Sequence, residues 1–401
     1  MSPRQRIGES TSWDVHLAIR AGAVPAGGRR APRPPPVGSD AVNGLLDDPV
    51  DALRPRLQDV IDRFLGDQRT LLTGIHAELS ALTDAAADLL RGGKRLRPAF
   101  CYWGWRGAGR PDDDAVVAVG AALELFQAAA LVHDDLIDGS DTRRGMPSVH
   151  RRFATRHAAQ RWAGEPDRFG AAAAVLLGDL LLGWSDELFN GSGLDDAALR
   201  RARPVFDLMR AQVGAGQYLD VVASATGADR PDRLAELART VVSYKAARYS
   251  VERPLVLGGS AAGAGPAVLA AYSRYGLALG EAFQLRDDVL GVFGDPASTG
   301  KPAGDDLREG KRTLLIAYTL ERAEPAAADT VNRLLGDRAL DGAGVETLRQ
   351  IIVDTGALRA VESQVTSLVA ESRRALQEAR CTAEARAALD ALITAATSRV
   401  A

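Results

Sequence analysis

The chain has 401 residues, enough for one large domain or two ordinary ones. Its 49 basic and 52 acidic side chains leave a formal net charge of −3, so bulk electrostatics make no case for nucleic acid or an anionic membrane surface. Two distant cysteines, Cys101 and Cys381, form neither a disulfide framework nor a metal spacing and fit a reducing, cytoplasmic setting.

Residues 1–42 carry Arg-Arg-Ala-Pro-Arg-Pro-Pro-Pro at 29–36 and several glycines, without the apolar core of a secretory signal. Such a segment buries too little surface to offset its ordering entropy, which predicts disorder. From residue 43 the pattern is helical. Leu53, Leu57, Val60, Ile61, Phe64 and Leu65 recur at helical spacing, and the alanine-rich stretches 112–138, 170–189, 197–225, 232–250 and 266–292 are each long enough for a core helix. Residues 314–400 read as amphipathic helices packed around the outside. The expectation is one all-α domain over 43–401, a single large helical bundle. No run of about 18 uninterrupted apolar residues marks a transmembrane segment.

Three stretches carry chemistry. Gly92-Gly93-Lys94-Arg95-Leu96-Arg97-Pro98 sets three cations after a flexible turn, either an anion site or a solvated basic turn. Residues 127–144 then run from Gln127 through an apolar segment into Asp134, Asp135, Asp138 and Asp141, followed by Arg143 and Arg144. On a helix Asp134 and Asp138 point about 40° apart, one turn from each other on one face. The apolar run from Leu125 to Val132 buries that helix and puts its acids at the mouth of a cavity. A second apolar helix, 271–290, ends in Phe283-Gln284-Leu285-Arg286-Asp287-Asp288, followed by Asp295, Lys301, Asp306 and Lys311. Two acidic helix ends facing each other form an oxygen-only clamp suited to Mg2+, and the flanking lysines and arginines point to diphosphates as ligands.

In this order the motifs resemble those of the all-trans isoprenyl diphosphate synthases of the polyprenyl synthetase family: Gly-Gly-Lys-x-x-Arg-Pro, the first Asp-rich motif with Arg-Arg-Gly, Gly216-Gln217-x-x-Asp220, Tyr244-Lys245, Phe-Gln-x-x-Asp-Asp and Thr-Gly-Lys. The likeness covers about residues 50 to 320 and implies the isoprenoid synthase fold, core helices around a central prenyl cavity. It implies that Lys94, Arg97, Gln127 and Arg144 bind isopentenyl diphosphate, and that Asp134, Asp138 and Asp287 hold Mg2+, three ions per site, with Asp135 and Asp288 in support. It implies that Arg143, Lys245, Lys301 and Lys311 hold the allylic diphosphate, and that Gln217, Asp220, Tyr249 and Gln284 line the allylic and carbocation region. Charge drawn from the allylic diphosphate then ionises its C–O bond, the isopentenyl double bond attacks, and the loop 294–312 serves as a lid against water. A homodimer is implied as well.

Some positions depart from the pattern. Gly291 stands where many relatives have a third Asp, Ala246 replaces a common Thr, and the basic C-terminal tail of some relatives is absent. His133, beside the first Asp, reads as a structural or supporting residue. In relatives that stop at the fifteen-carbon product, aromatics fill the positions held here by Ala129 and Ala130. Phe126 is the next bulky residue on that face, about 4.5 Å deeper, close to one isoprene unit. This spacing predicts geranylgeranyl diphosphate, with a longer polyprenyl product as the alternative. A terpene cyclase would lack the isopentenyl site, and a silent subunit of a heteromeric synthase would lose acids or arginines that this chain keeps.

Overall fold

Helix formation follows the apolar spacing almost throughout, in a computed structural model that describes residues 49–225, 231–294 and 304–397. The segment expected to be disordered, Asp295 and Lys301 lie outside these residues. α1 (Leu53–Ile75) buries Leu53, Leu57, Ile61 and Leu65 on one stripe. A short 3-10 turn leads to α2 (Ser80–Leu90), then α3 (Leu96–Gly107) and α4 (Asp114–Asp138). α4 opens where the Asp113 carboxylate accepts the Ala115 N–H at 2.9 Å, and it closes at Gly139. A two-stranded hairpin pairs Thr142–Arg143 with Met146–Pro147. There follow α5 (Val149–Gln160), α6 (Pro166–Asn190), α7 (Asp196–Ala225) and α8 (Pro231–Val241).

The predicted helix over 232–250 is two structures. α8 passes directly into a π-helix, Val242–Glu252, and then α9 (Arg253–Ala262), with Pro254 in its first turn. The last bond of the wider ladder runs from the Arg253 N–H to the Arg248 carbonyl; Pro254 has no N–H to continue it to Tyr249, so the wider winding ends where that bond is missing. α10 (Pro266–Phe293), α11 (Asp305–Glu309), α12 (Leu314–Arg322), α13 (Pro325–Leu334), α14 (Gly342–Asp354), α15 (Ala357–Glu378) and α16 (Ala383–Thr397) complete the order.

α4 lies at the centre, packed by α1, α3 and α6, and its 116–123 segment is buried on every side. The main apolar core gathers these helices with α7, α9 and α16. A second core joins α8, the end of α10, α12, α14 and α15. The 314–400 region is therefore more than an outer layer. Leu314, Leu315, Ile316 and Ala317 of α12 are all buried, because this helix fills the gap between α8, α14 and α15. Two helices, α4 and α6, are long and apolar enough to cross a membrane by composition, although charged residues interrupt both; α4 is mostly buried, whereas α6 exposes Val175 and Leu176.

Candidate active site

The C-terminal half of α4, α7, the π-helix and the end of α10 enclose a cavity of about 550 Å³. Its two ends are built differently. At one end the Gly92–Pro98 turn enters α3. Arg95, the middle cation, borders the cavity but has its guanidinium engaged: with φ at 52° it is buried, pairs with Glu124, and donates to Gln58 at 2.8 Å. That buried pair pins the turn and leaves Lys94 and Arg97 on the cavity wall. The Arg97 guanidinium lies 4.3 Å from the centre of the Tyr249 ring and donates to Ser250 Oγ at 2.7 Å. The Tyr249 hydroxyl donates to Gln127 Oε1 at 2.6 Å. Arg144 packs its guanidinium over Gly93 and lines the same end. Lys94, Arg97, Gln127 and Arg144 are thus brought together.

At the other end Asp134 is the hub. Its Oδ1 accepts from Gln217 Nε2 at 3.0 Å and from Lys245 Nζ at 3.1 Å, and Lys245 also donates to Asp220 Oδ2 at 2.6 Å. Burial pushes the Asp134 carboxyl up, yet Lys245, Lys311 and Arg143 outweigh it and hold the group below its ordinary value. Burial likewise opposes charge on Lys245, and Asp134 with Asp220 more than compensates. Gly216 makes this contact possible, since a Cβ there would stand 2.5 Å from the Lys245 backbone nitrogen. Asp135 is buried and grips Arg143, accepting from its Nε at 2.9 Å, so it aims that arginine and does not face the cavity. Lys311 pairs with Glu309 at 2.8 Å and approaches Asp306 at 3.5 Å and Asp138 at 3.8 Å.

Across the cavity, Asp287 and Asp288 line the end of α10. Asp288 accepts from Gln284 Nε2 at 2.7 Å, and burial, with Asp306 and Asp287 nearby, raises its carboxyl to about 8. Asp138 is raised to about 6 by burial and by Asp134. Among the described residues no three acidic, histidine or cysteine side chains converge to cage one ion. The donors are all oxygen, they stand on two facing helices, and two of them resist ionising without a cation. This suits Mg2+, which takes one or two carboxylates and completes its shell with water and substrate phosphate.

Gly291, the departure in the second acidic motif, has a steric counterpart. A Cβ at 291 would stand 1.8 Å from Asp306 Oδ2, so the Asp306 carboxylate occupies the space where a side chain at 291 would begin. Ala246 and Ala130 line the cavity; Ala129 and Phe126 do not. The Phe126 ring packs edge-on against Tyr249 at 5.6 Å, and Ala129 is buried in the helix interface. His133 faces α6, where Gly178 leaves room for its ring, and not the cavity. Lys301 lies outside the described residues. Ser250 and Arg312 were not legible as site residues. Arg312 lines the cavity with its Nη1 buried and, among the described residues, without a hydrogen-bond partner, and only its place beside Lys311 hinted at it. Ser250 stands five residues after Lys245, about 140° away on an α-helix, and only π winding aligns the two.

A family model described as Polyprenyl synthetase matches residues 79–352. The chain belongs to the polyprenyl synthetase family. It is therefore a prenyltransferase, with the all-α isoprenoid synthase fold. Its structure is similar to that of a geranylgeranyl pyrophosphate synthase from Corynebacterium glutamicum, solved with isoprenyl diphosphate and magnesium, with TM-score 0.83 and 38% identity over 88% of this chain and 99% of that one. Among curated relatives, a geranylfarnesyl diphosphate synthase from Aeropyrum pernix is 32% identical over 298 residues, 73% of this chain and 86% of that protein. A geranylgeranyl diphosphate synthase from Sulfolobus acidocaldarius is 32% identical over 269 residues, 66% of this chain and 74% of that protein. The relatives share the reaction class and differ in product length.

Proposed function

We propose that the enzyme condenses isopentenyl diphosphate head-to-tail with an allylic diphosphate and releases geranylgeranyl diphosphate. The observation that carries this reading is one cavity with two separate cationic ends, Lys94, Arg97 and Arg144 at one and Arg143, Lys245 and Lys311 at the other, with the aspartates gathered at the second. Two anionic substrates need two such ends, and a terpene cyclase needs only the second. Lys94, Arg97, Gln127 and Arg144 hold the isopentenyl diphosphate so that its double bond faces the allylic carbon. Asp134, Asp138 and Asp287 hold Mg2+, three ions in the full complex, whose chemistry is to draw negative charge from the leaving diphosphate. Arg143, Lys245, Lys311 and Lys301 share that task, with Asp135 and Asp288 fixing Arg143 and Gln284. Gln217, Asp220, Tyr249 and Gln284 wall the allylic carbon from water, and the departing diphosphate takes the final proton.

The small side chain of Ala130 leaves the α4 wall open beyond the fifteen-carbon length, which favours a twenty-carbon product; the relative named as a geranylfarnesyl diphosphate synthase keeps a longer product as the second reading. The enzyme works as a cytoplasmic homodimer. Incubating the purified chain with isopentenyl diphosphate, each allylic primer in turn and Mg2+ should give a twenty-carbon product, abolished by a chelator. Longer chains would establish the second reading, and no product with any primer would favour a silent subunit.

A further inference from the structure

Among the described residues the cations at the two ends are held in contrasting ways. Arg143, Lys245 and Lys311 each sit against carboxylates, Asp135, Asp134 with Asp220, and Glu309 respectively. Among the described residues no ion pair involves Arg97. Its guanidinium rests on a neutral ring face, Tyr249, and gives one N–H to a neutral hydroxyl, Ser250 Oγ, at 2.7 Å, while its Nε is buried without a hydrogen-bond partner. Ring and hydroxyl fix the plane of the guanidinium without neutralising it, so its full charge and remaining N–H groups stay available to an anion. A carboxylate in place of Ser250 would compete with the ligand. Ser250 itself is buried, so its hydroxyl has little freedom to turn elsewhere.

We propose that Ser250 is a positioning residue for isopentenyl diphosphate: its hydroxyl, delivered by the π-helix, holds Arg97 flat on Tyr249 and aimed into the cavity. The π winding gives the residue its meaning, because it aligns Ser250 with Lys245, one serving each diphosphate. Loss of the hydroxyl leaves Arg97 free to swing and weakens one substrate only. This inference rests on the assignment of Arg97 to isopentenyl diphosphate, so the test separates the two.

Steady-state kinetics are measured with each substrate varied at saturating levels of the other, for Arg97→Gln, Ser250→Ala and Ser250→Thr. Arg97→Gln should raise KM for isopentenyl diphosphate by roughly 100-fold, and Ser250→Ala by about tenfold, the scale of one hydrogen bond to a charged group. Ser250→Ala should leave kcat and the allylic KM within about twofold, and Ser250→Thr, which keeps the hydroxyl, should return KM to within about threefold of the parent. If Arg97→Gln raises that KM and Ser250→Ala does not, the positioning role is wrong and the site assignment stands. If Ser250→Ala raises both KM values alike, or Ser250→Thr fails to rescue a stably folded enzyme, the residue acts through packing and the proposal falls. If Arg97→Gln leaves KM for isopentenyl diphosphate unchanged, the site assignment itself fails.

Discussion

At position 291 the absence of a side chain is a steric requirement, because the Asp306 carboxylate fills the space in front of it. Gly291→Asp should therefore lower stability by about 1–3 kcal/mol, the usual cost of overpacking. Gly291→Asp combined with Asp306→Ala should recover most of that loss, a non-additive result that denaturant unfolding of the three variants would detect. Additive losses would mean that the two positions do not share one space. The neighbouring acids give a second prediction. The carboxyls of Asp138 and Asp288 are raised in the folded chain to about 6 and about 8 from an ordinary value of 3.8. Each then contributes stability that is fully present below its unfolded value and lost as pH rises through the folded one. Mg2+ takes the place of the departing protons, so the rise in melting temperature produced by Mg2+ with pyrophosphate should grow between about pH 5 and pH 8. A rise that is flat with pH would contradict the placement of these acids at the metal site.

The long helices were legible because their apolar stripes are continuous: the stretches 112–138, 170–189, 197–225 and 266–292 correspond to α4, α6, α7 and α10 within a few residues. The π-helix was not, since hydrophobic spacing over eleven residues does not separate it from an α-helix. Its consequence, the alignment of Ser250 with Lys245, was hidden with it. Lys94 and Arg97 were legible as a pair, but nothing in the order of cations marked Arg95 as the buried one, because its partner Glu124 is 29 residues away. The α4 wall shows the same limit: spacing put Phe126 on the cavity face, whereas its ring packs against Tyr249 and Ala130 is the residue that lines the cavity. Ala130→Phe is thus the sharper probe of product length. It should shift the main product from twenty carbons to fifteen with total turnover changed less than about tenfold, read by chromatography of the dephosphorylated alcohols. An unchanged product profile would place the growing chain along another wall.

For the whole molecule, the unresolved balance lies on α6. This 25-residue helix buries Ala174, Leu177, Leu181, Trp184 and Leu188 against the bundle, yet also presents Val175 and Leu176 to solvent, the latter 59% exposed. α1 also exposes Leu71 and Ile75. Single exposed apolar residues are ordinary, but two adjacent ones beside Ala172 on the outer side of a helix whose only charge there over 172–183 is Asp179 form a surface that association would cover. In a two-fold dimer the same patch meets itself, so one charge introduced there is introduced twice, and the two like charges face each other where water is excluded. Leu176→Asp should therefore convert the proposed homodimer to monomer at micromolar concentration, measured by light scattering coupled to size exclusion, while an exposed substitution away from the patch, Arg359→Asp, leaves it a dimer. Because α6 packs directly on α4, which carries Asp134 and Asp138, the monomer should also lose stability and activity, and both should return as protein concentration is raised. A parent chain that is already monomeric at that concentration, or a Leu176→Asp variant that remains dimeric, would remove α6 as the interface.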